Sequence, residues 1–268
     1  MIKKVFCLVL ILFSFVTTSK GQYTCGVTGL LHMPSAEMQK DGTFMFGGNF
    51  MNKENLPNKR WWGYNSYNYY INITFFKRLE VSYICTLVKG QENISYWPKQ
   101  TWGKFVNQDR HFAARFQAIK EGEFWEYMPS IVLGVNDPTT ATETGHNYTK
   151  LSAKSSINGF FNRWYIAATK HFNIPYGELG VHLAYLYNRR KDYHLNGPAI
   201  GVNFKPDICK DLNVILEYDA KTINFGAIYS LWHDHLNLLA EMQEGKYFSG
   251  GITFKVNLLG GNKWNTWK

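Results

Sequence analysis

From Leu212 to Leu231 the chain alternates with period two. Leu212, Val214, Leu216 and Tyr218 interleave with Asn213, Ile215, Glu217 and Asp219. After Ala220-Lys221-Thr222 the pattern resumes, with Ile223, Phe225, Ala227 and Tyr229 against Asn224, Gly226, Ile228 and Ser230. Successive strand residues point to opposite faces, so the stretch predicts an antiparallel hairpin with one apolar and one mostly polar face. Similar rows recur. Tyr67, Tyr69, Ile71, Ile73 and Phe75 oppose Asn68, Asn72 and Thr74; Leu79, Val81, Tyr83, Cys85 and Leu87 oppose Glu80, Ser82 and Thr86. Phe112, Ala114, Phe116 and Ala118 oppose His111, Arg115 and Gln117; Phe248, Gly250, Ile252, Phe254, Val256 and Leu258 oppose Thr253, Lys255 and Asn257. One-face-apolar rows of this kind belong to antiparallel sheet. They predict about twelve strands, at 43–52, 66–76, 79–88, 110–119, 127–136, 161–173, 177–188, 197–204, 211–219, 222–231, 236–243 and 247–258. Most are near the roughly 9–11 residues with which a tilted strand crosses a bilayer.

The links between them say where the apolar face goes. Lys77-Arg78, Lys120–Glu123, Asn173–Tyr176, Lys205–Lys210 and Trp232–His235 are short, and longer links at 53–65, 89–109, 137–160 and 189–196 lie between them. Only the links at 220–221 and 244–246 break the alternation of long and short. Short turns at one end and long loops at the other characterise an outer-membrane barrel, and an even strand count returns both ends of the chain to one side. A soluble secreted β-sandwich is the alternative, but it has no reason to sort its loops by parity. Tyr67, Trp125, Trp164, Tyr187, Tyr229 and Trp232, near strand ends, suit interfacial girdles.

Composition adds boundaries. The 268 residues are 45% hydrophobic and 17% aromatic, with a slightly negative mean hydropathy. After the N-terminus no apolar run of about 18 residues follows, so helices are not expected to span a membrane. Lys3, Lys4 and the apolar stretch Val5–Val16 read as a secretory signal ending near Gly21-Gln22, with no lipid-acceptor Cys at that point. The expected organisation is a signal peptide at 1–21, a periplasmic lead-in at 22–42, a transmembrane β-barrel at 43–258 and a periplasmic tail at 259–268, in the outer membrane of a Gram-negative bacterium. Residues 1–21 carry three lysines and no acid, so their removal lowers the formal net charge from +9 to +6. That excess suits anionic partners. Cys25, Cys85 and Cys209 form no disulfide framework. Asn72, Asn93 and Asn147 begin Asn-x-Ser/Thr triplets that bacterial export makes incidental.

Candidate chemistry lies on the inward rows. Glu80, His111, Arg115, His182, Glu217, Asp219 and Lys255 are expected to face the lumen, either pairing to close it or lining a narrow path. Gly201, Gly226 and Gly251 face inward on the same register and save space or mark bulges. His233-Asp234-His235 reads as a polar turn rather than a metal site, and no metal or cofactor is expected. Ser82, His182 and Glu217 could supply the parts of a hydrolase, but no nucleophile elbow accompanies them and an enzyme is not expected. Pro34-Ser35-Ala36 with Asp41-Gly42 forms either a turn into the barrel, or a plug or partner contact.

The stretch "GLLHMPSAEMQKDGTFMFGG" (Gly29–Gly48) resembles the opening of YjbH-type exopolysaccharide-associated outer-membrane proteins, through Gly29, Leu30, Pro34, Ser35, Ala36, Asp41 and Gly42. "NITFFKRLEVSY" (Asn72–Tyr83) and "DRHFAARFQAIKEGEFWEYMPSIVLGVND" (Asp109–Asp137) are similar to two further family segments. The resemblance runs from residue 29 to about 188, and this chain corresponds to roughly one barrel unit of the longer founding members. It implies a non-catalytic outer-membrane barrel that serves exopolysaccharide biosynthesis, secretion or surface assembly. Outer-membrane lipid, anionic polysaccharide and periplasmic export components are the expected partners, and nucleic acid is not. A general small porin, a component of another secretion system and a barrel lipid-modifying enzyme are the alternatives.

Overall fold

The structure, a computed structural model, describes residues 26–57, 60–138, 160–188 and 196–259. The expected signal segment, Cys25, most of the 137–160 and 189–196 links, Asn147 and nearly all of the expected C-terminal tail lie outside the described residues. Twelve strands run through them: β1 (Thr43–Met51), β2 (Ser66–Phe75), β3 (Leu79–Lys89), β4 (Phe105–Ile119), β5 (Ser130–Asn136), β6 (Arg163–Ile174), β7 (Gly177–Tyr187), β8 (Gly197–Pro206), β9 (Leu212–Tyr218), β10 (Ile223–Leu231), β11 (Leu236–Gln243) and β12 (Tyr247–Asn257). Each pairs antiparallel with its sequence neighbours, and β1 pairs with β12, from Thr43 opposite Asn257 to Phe50 opposite Gly250. The sheet is a closed barrel. Closure removes the unpaired edges that an open sheet would leave.

The rows read from the sequence become the two faces of the wall. Asn213, Ile215 and Glu217 of β9 are buried, whereas Val214, Leu216 and Tyr218 are 40–50% exposed. The outward positions of β1, β2, β5 and β7 through β12 carry no charged side chain. The outward charges elsewhere are Lys89, at the end of β3, Arg110, opposite Cys85 within β4, and Lys170, opposite Val181 within β6. Cys85 is buried and Cys209 half-buried, both as free thiols.

Two boundaries differ from expectation by more than two residues. β5 starts at Ser130 rather than 127, so the link after β4 runs through residues 120–129 and not merely Lys120–Glu123. That segment satisfies its own backbone: Gly122 N–H donates to Met128 O at 3.0 Å and Met128 N–H to Trp125 O at 2.9 Å. Gly122 has φ +70°, a conformation that suits glycine. Glu123 accepts from Lys120 N–H at 2.8 Å and pairs with Arg78. Those two donors hold its carboxyl below the usual carboxylate range. The second difference is at β4, which begins at Phe105 and not 110, so that the β3–β4 hairpin continues past a register shift at Val88/Lys89.

Candidate functional site: a finger inside the lumen

The segment ahead of β1 does not hang below the barrel. Residues 26–39 are buried, and their partners are inward side chains from strands all around the wall. The segment is a narrow finger, with Gly29 bridged antiparallel to Pro34 and Leu30 N–H donating to Met33 O at 3.0 Å. Gln39 Nε2 donates to Thr28 Oγ1 at 3.1 Å, tying its two limbs. Both limbs start near the short-turn end, and the tip, Leu31–Met33, reaches Glu217 and Glu241 toward the long-loop end of β9 and β11.

A single finger cannot pair its own backbone fully, and buried backbone groups need partners. The wall supplies them with side chains. Glu217 accepts three successive N–H groups at the tip, from Leu31 (3.0 Å), His32 (2.6 Å) and Met33 (3.3 Å). Arg115 donates to the carbonyls of Thr28, Ser35 (2.7 Å) and Glu37, so it reads both limbs. Glu80 accepts from Thr28 N–H at 2.7 Å and lies 3.7 Å from Arg115 Nε. Asn72 and Ser82 each donate to Gly26 O at 2.9 Å. Thr169 accepts from Ala36 N–H at 2.8 Å, and Gln117 donates to Ala36 O at 3.0 Å. Two side chains of the finger return the contact: His32 pairs with Glu241 at 2.9 Å and Glu37 with His171 at 3.1 Å.

The other side of the finger is apolar. Leu30, Leu31, Met33, Ala36 and Met38 pack with Val132, Ala167, Ala184, Leu186, Ala199, Ile215 and Ile228. The trough exists because small residues line it. A Cβ at Gly201 would run into Leu30 and stand 2.9 Å from Met33 Sδ; one at Gly226 would stand 3.0 Å from Leu31. The inward glycines at 201 and 226 therefore make room for the finger tip, while Gly251 makes room for Asn49.

The long-loop end is covered separately. Met51, Leu56, Trp62, Val88, Phe160 and Phe161 form a buried cluster, with Trp62 edge-on to Phe160 at 6.0 Å between ring centroids. Asn55, in the 3₁₀ turn Lys53–Asn55, donates to Glu241 (2.9 Å) and Ser249 (2.8 Å), so this cover and the finger meet on one carboxylate.

All seven inward candidates are buried, but they do different things. Glu80, Arg115 and Glu217 hold the finger. His182 links Thr169 (2.9 Å) to Asn203 (2.7 Å), and Asn203 donates on to Asn213. Asp219 accepts from Lys221 N–H (3.0 Å) and Thr222 N–H (2.8 Å) and shapes the β9–β10 turn. Lys255 pairs with Asp234 at 3.0 Å, which commits the His233-Asp234-His235 turn to the wall. His111 stacks on Phe161 at 4.9 Å, in the cover. Ser82, His182 and Glu217 have the separate partners given above and form no relay. Asn72, Thr169, His171 and Glu241 also bind the finger. Strand alternation places them inward, but nothing in the sequence marks them as its partners.

Gly29, Pro34 and Ser35 thus lie inside the barrel, while Asp41 and Gly42 form the joint with β1. Asp41 accepts from Lys77 N–H at 3.2 Å, and its carbonyl accepts from Asn257 Nδ2 at 2.8 Å. Gly42 adopts φ +72°. The model of the YjbH family, described as exopolysaccharide biosynthesis protein YbjH, matches residues 21–194. The chain belongs to the YjbH family. The match takes in the whole finger and β1 through β7, so the YjbH region includes both the finger and the Glu80–Arg115 pair that holds it. It leaves β8 through β12, which complete the ring and carry Glu217, beyond its end. Comparison with the curated proteins gives no match.

Proposed function

We propose that this YjbH-family protein is a non-catalytic outer-membrane barrel, closed by its own N-terminal finger, that acts in the secretion or surface assembly of exopolysaccharide. The outer wall supports the membrane reading. Ile71, Phe116, Leu133, Ile166, Leu183, Leu216 and Ile252 are each about half exposed in a continuous belt, far beyond the few hundred Å² of apolar patch that a soluble monomer carries. Aromatics stand at both ends of that belt. Tyr67, Trp164 and Tyr187 are at the long-loop end, and Trp125, Tyr176, Tyr229 and Trp232 at the short-turn end. Paired girdles of this kind flank the lipid band of outer-membrane barrels.

The observation that carries the reading away from a porin is the finger. A passive pore needs an open lumen, and here the lumen is filled with hydrogen-bonded, packed chain. The protein then acts through its exposed ends, and these differ in charge. Among the described residues at the long-loop end, basic side chains such as Lys53, Arg60, Lys99, Lys104, Lys221 and Lys246 outnumber acidic ones. At the short-turn end Glu121, Glu123, Glu126, Asp207 and Asp211 are offset by Lys40, Lys77, Arg78, Lys120 and Lys210, so the charge is close to balanced. A basic outer face suits an anionic polysaccharide. Deleting the protein from its host is expected to change the amount or placement of surface polysaccharide. A chain with His182→Ala, present at normal level, is expected to restore it. Unaltered polysaccharide in the deletion strain would refute the role, and restoration by the His182→Ala chain would count against a hydrolase that uses that imidazole.

A further inference from the structure

We propose that a groove on the outside of the barrel, at the β1–β12 seam, is a binding site for a lipid of the outer leaflet with an anionic headgroup; this rests on the outer-membrane reading above. The outward rows are bulky almost everywhere, but not here. Gly48 of β1 faces Ile252, and Gly250 of β12 faces Phe50 on one side and Ala240 of β11 on the other. Around these small residues the aromatic rings stand up in pairs. Phe46 stacks on Phe254 with centroids 5.1 Å apart, and Phe50 lies 5.6 Å from Tyr67 and 6.4 Å from Phe248. Between them is an apolar hollow of about 930 Å³.

Its position selects the occupant. Phe50 and Phe248 are each one residue from the long-loop ends of their strands, so the hollow runs from Phe46 and Phe254, just beyond mid-wall, up to that end. Lys53 follows β1 and Lys246 precedes β12 at the same end, both exposed. Glu54 and Glu244 lie close by in sequence, in an end where basic residues are in excess. An acyl chain laid against Gly48 and Gly250 would fit between the rings, and close van der Waals packing rather than transfer from water would hold it there. Its phosphate would then sit at the height of the two lysines. A second copy of the chain would need an apolar patch without this charged upper margin.

The test uses full-length protein extracted from the outer membrane in mild detergent, with native mass spectrometry to detect phosphate-bearing lipid. Its fold is checked by the heat-dependent gel shift. The intact protein is expected to retain one such lipid. Gly48→Leu, which fills the floor at a site where a Cβ meets only Asn68 O at 3.0 Å and Tyr69 at 3.9 Å, is expected to lose most of it. Lys53→Glu with Lys246→Glu, which leaves the wall untouched, is expected to weaken retention about tenfold, the equivalent of roughly 1.4 kcal/mol. Equal retention by heat-shifting variants, or no retained lipid in the intact protein, would overturn the site. A dimer that Gly48→Leu dissociates would assign the groove to a second copy instead. A protein absent from the outer membrane, with no heat shift, would remove the membrane reading itself, and the site with it.

Discussion

A chain lacking residues 28–38 is expected to open ion-conducting steps in a planar bilayer, where the intact chain stays closed. The finger is the material that fills the lumen, and what it leaves behind resists collapse. The apolar side of the trough combines Ala167, Ala184, Ala199, Gly201 and Gly226, which have little side chain to move inward, with Val132, Leu186, Ile215 and Ile228, all fixed on a closed ring of paired strands. The polar side keeps Asn72, Ser82, Asn203, Asn213 and Asn224 facing the freed space, which water would wet. The cover at the long-loop end would also loosen, because Asn55 and His32 of the finger share Glu241. Retaining Gln39–Gly42 preserves the joint with β1. A deletion variant that still shows a heat-dependent gel shift but passes no current would show that the cover alone seals the barrel. Current through the intact chain would show that the finger does not.

The second large effect is expected at Arg115. Its guanidinium serves three carbonyls on both limbs of the finger and is the partner of Glu80, all in a fully buried setting. Arg115→Leu leaves those carbonyls without donors and Glu80 as a buried charge without its partner. Breaking a buried pair in this way costs about 3–5 kcal/mol. Arg115→Lys should fall between, because a point-like ammonium cannot span the three acceptors as a planar fork does. The measurement is denaturant unfolding of the folded barrel in detergent. A shift within about 0.5 kcal/mol, the size expected of an ordinary surface change, would mean that the finger is held by its apolar side alone.

The wall was legible in the sequence because its stabilising face repeats every second residue. Leu212 to Leu231 can be divided into inward and outward positions from the alternation alone, and the closed twelve-strand antiparallel barrel follows that division. The loop lengths marked the two ends for the same reason, being set by where the alternation stops. The expected strand at 127–136 reaches into the 120–129 turn because Tyr127 looks like a strand residue. The segment is closed instead by bonds within the turn, from Gly122 N–H to Met128 O and from Met128 N–H to Trp125 O. The finger had no period to read. "GLLHMPSA" clusters its apolar residues, and its hydrogen-bond partners are side chains far along the chain, Glu217 lying 186 positions after Leu31. The motif was visible as a motif, but its place inside the barrel depends on the ring closing around it.

The account turns on a closed barrel seated in the outer membrane, and one measurement tests that most directly. Membranes from cells producing the protein are fractionated, and the extracted protein is run on a gel with and without boiling. The expected result is an outer-membrane band that needs detergent for extraction and shifts its mobility on heating, as a barrel closed between β1 and β12 should. A protein released without detergent, with one mobility whether boiled or not, would contradict it.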